Sequence, residues 1–299
     1  MDRFREIEAF VAVVDAGSFV QAAESLQVSK AAVSRAVQEL EARLGARLLQ
    51  RTTRRLSLTE AGRDYHARCR LILAELEEAD GAVGTVTGQA LGTLRINVPL
   101  SFGILHLAPL WGAFMARHPG VELDVTLSDR RVDLVEEGYD MAVRITQPED
   151  SSLVYRRLAT TRIVMCAAPS YLARRGTPAT LQEVARHDVI AYTYKAGGDV
   201  WRFDTPRGPE EVATRSRMRT NNGDTCRSVA LAGQGITLQP SFLVWEDLAA
   251  GRLVEILPEC RGPDIGIYAV YPSRKYLSMK VRAAVEFLAG CFVQTPWAS

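Results

Sequence analysis

The sequence has few of the residues and motifs on which catalysis or membrane insertion depends. Its four histidines are dispersed, and none stands at metal-ligand spacing from a cysteine or a carboxylate. It lacks the serine-nucleophile elbow, the phosphate-binding loop and the glycine fingerprint of dinucleotide-binding folds. No uncharged apolar run approaches the roughly 18 residues that a membrane-spanning helix needs. We therefore expect a protein without enzymatic activity, without a cofactor or metal and without a membrane partner.

Paired cysteines are absent as well. Five cysteines, an odd number, are scattered along the chain without a C-x-x-C pair, which favours a reduced, cytoplasmic compartment. The stretch Met1–Gly17 is charged and lacks the apolar core of a signal peptide. With 299 residues, 47% of them hydrophobic and 24% charged, the chain has the composition of a globular protein and the length of two or three domains.

Lysine is rare, because only four of the 36 basic residues are lysines. The formal net charge of +1 argues at first against a nucleic-acid partner. Between Arg43 and Arg70, however, eight arginines stand against two carboxylates. Guanidinium groups stay charged and can bind phosphate oxygens through two parallel hydrogen bonds. This segment is either a solvated helix face or part of a surface that binds a phosphate backbone, and its context decides between the two.

The first 45 residues predict three helices, at about 4–16, 19–26 and 30–44. Their boundaries follow from glycines that end helices and from serines that cap helix starts. These residues are Gly17, Ser18, Ser29 and Gly45. The third helix has an apolar stripe from Val33 to Leu44 and an opposite face of small and polar side chains. Such a face suits the major groove of DNA, because bulky groups would keep the helix away from base edges. It comprises Ala31, Ser34, Arg35 and Gln38, with Lys30 beside it.

Two short extended runs follow and flank a tip rich in arginine and threonine, which predicts a two-stranded wing. Hydroxyl and guanidinium groups at such a tip would contact phosphates or enter the minor groove. The residues concerned are Arg51, Thr53, Arg54 and Arg55. Each piece alone is also found in ordinary protein cores. Their order, a capped helix, a capped recognition-type helix and a basic wing, is more specific.

Apolar positions after the wing alternate spacings of four and three residues over three heptads. This repeat is typical of a coiled-coil seam, although a core helix can carry the same spacing. Thr59 can cap the helix, and glycines at 81, 84 and 88 weaken its far end. The predicted seam comprises Tyr65, Cys69, Ile72, Leu76, Ala79, Val83 and Val86.

The remaining two hundred residues alternate strands and helices, which predicts βαβ units and a mixed sheet covered by helices. A short helix is expected from Asp129 to Glu137. Strands are expected at 94–98, 121–127, 139–145, 162–168, 217–220, 236–238 and 266–271, an apolar helix at 104–114 and a final helix near 281–288.

Several segments closely resemble the LysR-type transcriptional regulators, and they span essentially the whole chain. They include Ala22-Ala23, Ala32-Val33-Ser34-Arg35, Leu44-Gly45, Leu58-Thr59-x-Ala61-Gly62, Gly138 to Arg144, Pro169 to Leu172, Gly233 to Ile236 and Gly251 to Val254. Where the family commonly has Gln and then Pro, this chain has Lys30 and Ala31, a departure that concerns base preference. The resemblance implies a multidomain fold with an all-α winged helix-turn-helix, a long dimerisation linker helix and an α/β two-lobed effector domain similar to type 2 periplasmic binding proteins.

The expected domain boundaries are 1–58 for the DNA-binding domain, 59–88 for the linker helix and hinge, and 89–299 for the effector domain. Lobe I would cover about 92–162 and 267–299, and lobe II about 163–266.

The resemblance also implies partners. The protein would bind an imperfect dyad in double-stranded DNA as a homodimer, assemble into a tetramer, contact RNA polymerase and respond to a small-molecule effector held between the lobes. Base contacts would come from the start of the third helix and backbone contacts from the wing. The residues are Ser29, Lys30, Ala31, Ser34 and Arg35 for the major groove, and Arg51, Thr53, Arg54 and Arg55 for the wing.

Ligands of open α/β sheets bind beyond the carboxyl ends of strands, where helix starts offer free N–H groups. Three predicted turns meet this description, and they suggest effector contacts from Ser101, Phe102, Thr146, Asn222 and Thr225. Simple capping by Ser101, Asp224 or Thr225 is the alternative at each position.

Two other functions stay open. A free solute-binding protein would need an export signal and would have no use for the segment from Ser29 to Arg55. A thiol sensor could use Cys226, near the predicted cleft turn, but no resolving partner is evident. A buried, inert cysteine is the favoured interpretation of Cys226.

Overall fold

The computed structural model describes residues 2–51, 56–84, 90–148, 152–194, 199–260, 262, 265–272 and 277–297. The chain divides into two compact units. The first unit contains residues 1–88 together with 133–138, and the second contains residues 89–132 and 139–299.

The N-terminal part of the first unit is a helical domain with a short β-hairpin. Its elements are α1 (Arg3–Ala16), α2 (Phe19–Ser25), α3 (Lys30–Leu44), β1 (Leu49–Arg51), β2 (Leu56–Leu58) and α4 (Glu60–Gly84). The predicted helix boundaries are confirmed. Gly17 and Gly45 end α1 and α3 with φ of +62° and +63°, and the hydroxyls of Ser18 and Ser29 accept N–H bonds from the first turns of α2 and α3.

The three N-terminal helices bury one apolar core. Phe10 and Val13 of α1 meet Val37 and Leu40 of α3, and all four side chains are fully buried. Ala22 in α2 is also fully buried, and its small side chain allows the helices to approach closely. Of the apolar stripe predicted for α3, Val33, Val37 and Leu40 therefore face this core, whereas Leu44 at the end of the helix is exposed.

The first turn of α4 is locked against the start of the wing. The backbone N–H of Thr59 donates to the Leu48 carbonyl oxygen at 2.9 Å, and the Thr59 hydroxyl accepts from the N–H of Gly62 at 2.9 Å. A Cβ atom at Gly62 would lie 2.1 Å from that same Leu48 oxygen. Only glycine fits there without a shift of the backbone.

The second unit is built on two five-stranded sheets and a separate hairpin. Its elements are β3 (Gly92–Val98), α5 (Leu100–Phe102), α6 (Ala108–Arg117), β4 (Val121–Leu127), β5 (Met141–Thr146), β6 (Leu153–Thr161), β7 (Ile163–Ala167), α7 (Pro169–Arg175), β8 (Asp188–Tyr192), β9 (Val200–Thr205), β10 (Gly208–Ala213), β11 (Arg215–Thr220), α8 (Gly223–Leu231), β12 (Ile236–Pro240), α9 (Ser241–Ala249), β13 (Val254–Glu255), β14 (Ile265–Pro272) and α10 (Met279–Cys291). A π-helical turn joins α5 to α6, and a 3₁₀ helix, Leu181–Arg186, precedes β8.

The sheets define two lobes. In lobe I the strand order is β4-β3-β5-β14-β6, and in lobe II it is β11-β8-β12-β7-β13. In lobe I, β3 runs parallel to β4 and β5, whereas β14 is antiparallel to its neighbours β5 and β6. The chain passes from lobe I to lobe II between β6 and β7 and returns before β14. The carboxyl ends of β3, β4 and β5 consequently lie at one edge of lobe I.

Apolar alternation along β3 explains the packing of lobe I. Leu94, Ile96 and Val98 are fully buried and belong to the same core as Phe114 of α6 and Leu288 of α10. This core also contains Phe242 of α9, so the lobes share apolar contacts near their connection. A second core lies within lobe II.

The helix predicted from Asp129 to Glu137 is wrong. The segment is irregular and ends in a turn at residues 134–138. The Asp133 carboxylate accepts the N–H groups of Val135 and Glu136, each at 2.9 Å, and Gly138 leaves the turn with φ of +69°. The Asp133 side chain thus caps the start of a single turn, which has one helical hydrogen bond, from the Glu137 N–H to the Asp133 carbonyl oxygen at 3.0 Å. The left-handed conformation of Gly138 prevents a second turn.

Replacement of Gly62 by alanine (Gly62→Ala) should lower the free energy of unfolding of the N-terminal domain by about 1–3 kcal/mol, because the added methyl group must separate α4 from the Leu48 carbonyl. Chemical denaturation of the full-length protein measures this change. The control is Gly112→Ala in α6, where a Cβ meets nothing within 4 Å. This control should leave the N-terminal transition unchanged and stabilise the second unit by up to about 1 kcal/mol. An N-terminal domain of wild-type stability in Gly62→Ala would contradict the close approach.

Candidate functional site

The start of α3 presents an exposed face of small and polar side chains. The buried side of the helix carries Val33, Ala36, Val37 and Leu40. The residues predicted to meet DNA lie on the other side. Ser29, Lys30, Ala31, Arg35 and Gln38 are exposed and Ser34 is half-buried. The structure thus brings these six residues together on one accessible surface.

Carboxylates hold this helix in place, and sequence reasoning missed them. The Glu41 side chain accepts the N–H groups of Leu48 and Leu49 at 2.8 and 3.0 Å, which ties α3 to the start of the wing. Near the same end of α3, Arg43 pairs with the buried Glu6 of α1 at 2.9 Å. The hydrogen bond to Glu6 raises the pKa of Arg43. The sequence did offer a sign of this role for Glu41, because a carboxylate near the end of a helix can bind the backbone N–H groups of the chain that turns back beside it.

The predicted wing is present as a pair of antiparallel strands. Leu49 pairs with Leu58 and Arg51 with Leu56. Arg51 thus belongs to β1. The other predicted wing contacts, Thr53, Arg54 and Arg55, lie outside the described residues.

The heptad positions of α4 divide into two groups. Cys69 is fully buried in the core of its own domain, and Tyr65 packs on Phe10 with ring centroids 5.9 Å apart. The domain therefore already covers these two residues, which sequence reasoning assigned to the dimer seam. Ile72 and Leu76, next on the same stripe, are 44% and 39% exposed. The side chain of Val83 lies outside the described residues.

Ser101 and Asp224 join the two lobes. Ser101 lies in α5, directly after β3 of lobe I, and Asp224 lies in the first turn of α8, after β11 of lobe II. The Ser101 hydroxyl donates to an Asp224 carboxylate oxygen at 2.5 Å. Sequence reasoning placed Ser101 in the cleft but considered Asp224 only as a turn residue.

A carboxylate of lobe I also acts on a tyrosine of lobe II. Asp129 follows β4, and its carboxylate accepts the N–H of Leu100 at 2.9 Å, while Tyr192 lies at the end of β8. Burial raises the pKa of Tyr192, and the negative charge of Asp129 raises that pKa further. Tyr192 thus stays protonated. Sequence reasoning could have found Asp129, because it follows the end of a predicted strand as Ser101 does. It could not have found Tyr192, because β8 was not among the predicted strands.

The other predicted effector residues have local roles in this structure. Phe102 is fully buried among aromatic rings, 5.2 Å from the Phe242 ring centroid, and does not line the cleft surface. Asn222 caps α8, because its side-chain oxygen accepts both the N–H and the hydroxyl of Thr225 at 2.8 Å. The Thr146 hydroxyl donates to the carbonyl of Gln147 at 3.0 Å. Capping therefore accounts for Asn222 and Thr225.

Cys226 is buried in α8, and burial raises the pKa of its thiol to about 11. A protonated, inaccessible thiol reacts slowly with oxidants, which weighs against thiol sensing at this position. The described residues contain no group of three or more His, Cys, Asp or Glu able to hold a metal ion. No described helix is long and apolar enough to cross a membrane.

The chain is similar to known regulators over nearly its whole length. Residues 4–63 match the model of the bacterial regulatory helix-turn-helix protein, lysR family, and residues 87–291 match that of the LysR substrate binding domain. The transcriptional regulator PtxR of Pseudomonas aeruginosa is 40% identical over 282 residues, which are 94% of this chain and 90% of PtxR. The solved structure of CrgA, a LysR-type transcriptional regulator from Neisseria meningitidis, is 34% identical with a TM-score of 0.63 and covers 97% of this chain and 98% of its own. The full-length structure of the Vibrio cholerae virulence activator AphB is 27% identical with a TM-score of 0.63. The match covers 98% of this chain and 100% of the AphB chain.

The raised thiol pKa of Cys226 should make stability fall as the pH rises. Below the ordinary value of 9.0 both folded and unfolded chains hold the thiol proton, whereas between 9.0 and about 11 only the folded chain does. Unfolding is then favoured by up to about 1.4 kcal/mol per pH unit for this thiol. Denaturation of Cys226→Ala across this range should show a smaller loss with pH than wild type. The exposed Cys291 supplies the control, Cys291→Ala, and equal slopes in all three proteins would contradict burial of Cys226.

Proposed function

The chain belongs to the LysR family of bacterial transcriptional regulators, and from that membership we propose how it works. Two copies read an imperfect dyad with the exposed face of α3. A small molecule bound between the two lobes of the second unit changes that activity. Such a regulator acts in the cytoplasm, where chromosomal DNA is accessible to it.

The polar face of α3 is the observation that carries the proposal. Its side chains from Ser29 to Gln38 are accessible while the opposite side of the helix is buried, so the helix can enter a major groove without unfolding its domain. Ala31 leaves room for close approach, and Arg35 can donate two hydrogen bonds to a guanine edge. The wing arginines supply backbone contacts that position the helix.

Exposure of Ile72 and Leu76 supports the dimer. An apolar stripe that continues beyond its own domain loses contact with water only if another surface covers it. A second copy of α4 offers the same stripe, and two-fold pairing would present two α3 helices to two half-sites. Pairs of such dimers would form a tetramer.

The two lobes support the effector site. Helix starts and strand ends from both sheets meet at Ser101 and Asp224, which is the expected location of a ligand in open α/β sheets. An effector alters DNA binding only if it binds one arrangement of the lobes more tightly than another.

Replacement of Arg35 by alanine should reduce affinity for the operator by about 1–3 kcal/mol and relax preference at one base pair, because a base contact is lost. Fluorescence anisotropy with operator and mismatched duplexes measures both effects. Arg5→Ala, which removes an exposed arginine of α1, should weaken binding much less. An equal loss on every sequence would contradict base reading by Arg35.

Replacement of both Ile72 and Leu76 by lysine should abolish the dimer and operator binding together, because four charges would meet along the paired helices. Sedimentation velocity measures the mass of the full-length protein. The conservative pair Ile72→Leu with Leu76→Met keeps the stripe apolar and should retain the dimer. A lysine variant that sediments as a dimer would contradict this seam.

A further inference from the structure

Helix α4 holds the turn between β4 and β5. Residues 133–138 belong to the first compact unit, although the strands on both sides of them, β4 and β5, belong to the second. We infer that Arg70 of α4 couples the proposed effector cleft to the DNA-binding domain by binding this turn, so that a change in the cleft alters operator binding only while the Arg70 contact is intact. This inference rests on the proposed function, because it names how that cleft regulates DNA binding.

Arg70 caps the end of the turn. Its two terminal nitrogens donate to the carbonyl oxygens of Glu137 and Gly138 at 2.9 and 3.1 Å, and its side chain is 13% exposed. Carbonyl groups at the end of a helical turn have no partner within that turn and carry partial negative charge. The guanidinium satisfies them with two charge-assisted bonds. Asp133 caps the start of the turn, so the turn is bound to α4 as a unit.

The guanidinium lies directly on the backbone of Gly138. A Cβ atom at this position would overlap the Cζ and Nη2 atoms of Arg70, so any other residue would displace the guanidinium. The φ of +69° at Gly138 also favours glycine. Arg70 faces the carboxylate of Asp15 in α1 as well, with 3.9 Å between Nη1 and Oδ1. The same side chain therefore contacts both the turn and the first helix of the DNA-binding domain.

The chain before and after the turn is tied to β3 and to the residues that follow it. Asp129, four residues before the turn, accepts the N–H of Leu100 at 2.9 Å, and Leu100 directly precedes Ser101 of the bond that joins the lobes. After the turn, the N–H of Asp140 donates to the Arg95 carbonyl oxygen, and the Asp140 carboxylate accepts the Arg95 N–H, each at 2.9 Å. A short stretch of chain with both ends fixed thus leads from the cleft to α4.

A displacement in the cleft would reach α4 along this stretch. An effector that replaces the Ser101–Asp224 bond would move the start of α5, and Asp129 would follow the N–H group that it accepts. The turn could then follow only by moving Arg70 with it or by breaking the Arg70 contact. Both outcomes change the contacts of α4 between two states of the cleft, which is the physical requirement for coupling between distant sites.

The test needs no known effector, because Ser101→Ala breaks the lobe-joining bond in the full-length protein. Fluorescence anisotropy measures its effect on the affinity for a duplex selected from genomic fragments that the wild-type protein retains. The two backgrounds are wild type and Arg70→Met, which keeps the apolar stem of the side chain but has no donor. Ser101→Ala should change the affinity at least about fivefold in the wild-type background and less than about twofold in Arg70→Met. Distant sites without shared partners are additive to within about twofold. An equal change in both backgrounds, including no change in either, overturns the inference.

A second variant disrupts the same contact from the turn. The methyl group of Gly138→Ala displaces the guanidinium, so this variant should abolish the response to Ser101→Ala as Arg70→Met does. The matched control is Gly251→Ala, which places alanine at φ of +67° with nothing within 4 Å of the added atom and should retain the full response. Arg68→Ala, which removes an exposed arginine of α4, should retain it too. Each response is a ratio within one background, so a general loss of DNA affinity cancels. Loss of the response in either control overturns the inference.

Hydrogen exchange separates this inference from the proposed function, because it requires no DNA. In the free full-length protein, Ser101→Ala should change the exchange of the α4 amides around Arg70 in the wild-type background and leave it unchanged in Arg70→Met. Exchange around Arg70 that does not respond to Ser101→Ala overturns the inference. A wild-type protein that retains no specific DNA contradicts the proposed function, and the exchange measurement still decides the coupling. A protein that binds a dyad but responds equally in both backgrounds overturns the coupling and leaves the proposed function intact.

Discussion

Burial of the apolar stripe of α4 away from water is the constraint on which the N-terminal domain and the proposed dimer both depend. Its first residues, Tyr65 and Cys69, complete the core of the N-terminal domain. The same stripe then continues to Ile72 and Leu76, which that domain does not cover. One face of α4 therefore has two roles. At Gly62 it lies against the Leu48 carbonyl at the start of the wing, and at Ile72 and Leu76 it offers the surface that a second copy would cover. In the proposed dimer, the spacing of two α3 helices on DNA would follow from how those stripes pair.

Local signals in the sequence were enough to predict the N-terminal domain. Glycines that end helices and serines that cap them act over three or four residues, so Gly17, Ser18, Ser29 and Gly45 mark α1, α2 and α3 at their observed limits. The heptad was harder to interpret, because a period of 3.5 residues shows that a stripe is apolar but not which surface covers it. That is why Tyr65 and Cys69 were assigned to a partner although Cys69 is buried in its own domain and Tyr65 packs against the same core.

Long-range contacts were beyond sequence reasoning. The hydrogen bond of Ser101 to Asp224 joins residues that follow strands of different sheets, and a strand-end position does not show which residue lies opposite. Phe102 adjoins a cleft residue yet turns into the aromatic core, since a strand-end criterion selects a turn and not the direction of each side chain. The segment after β4 was mistaken for a helix because Asp133 caps a helical turn there, but that turn ends at once in the left-handed Gly138.

Near-neutral net charge conceals a local excess of positive charge in the sequence. Between Arg43 and Arg70, eight arginines stand against two carboxylates. In the proposed dimer, DNA binding would depend on the geometry of two α3 helices more than on overall charge. The most direct test is to sequence the genomic DNA fragments retained by the purified full-length protein. These fragments should share an imperfect dyad with half-site centres about 10 base pairs, or a multiple of this, apart. Retained fragments without a shared dyad would contradict the proposed function.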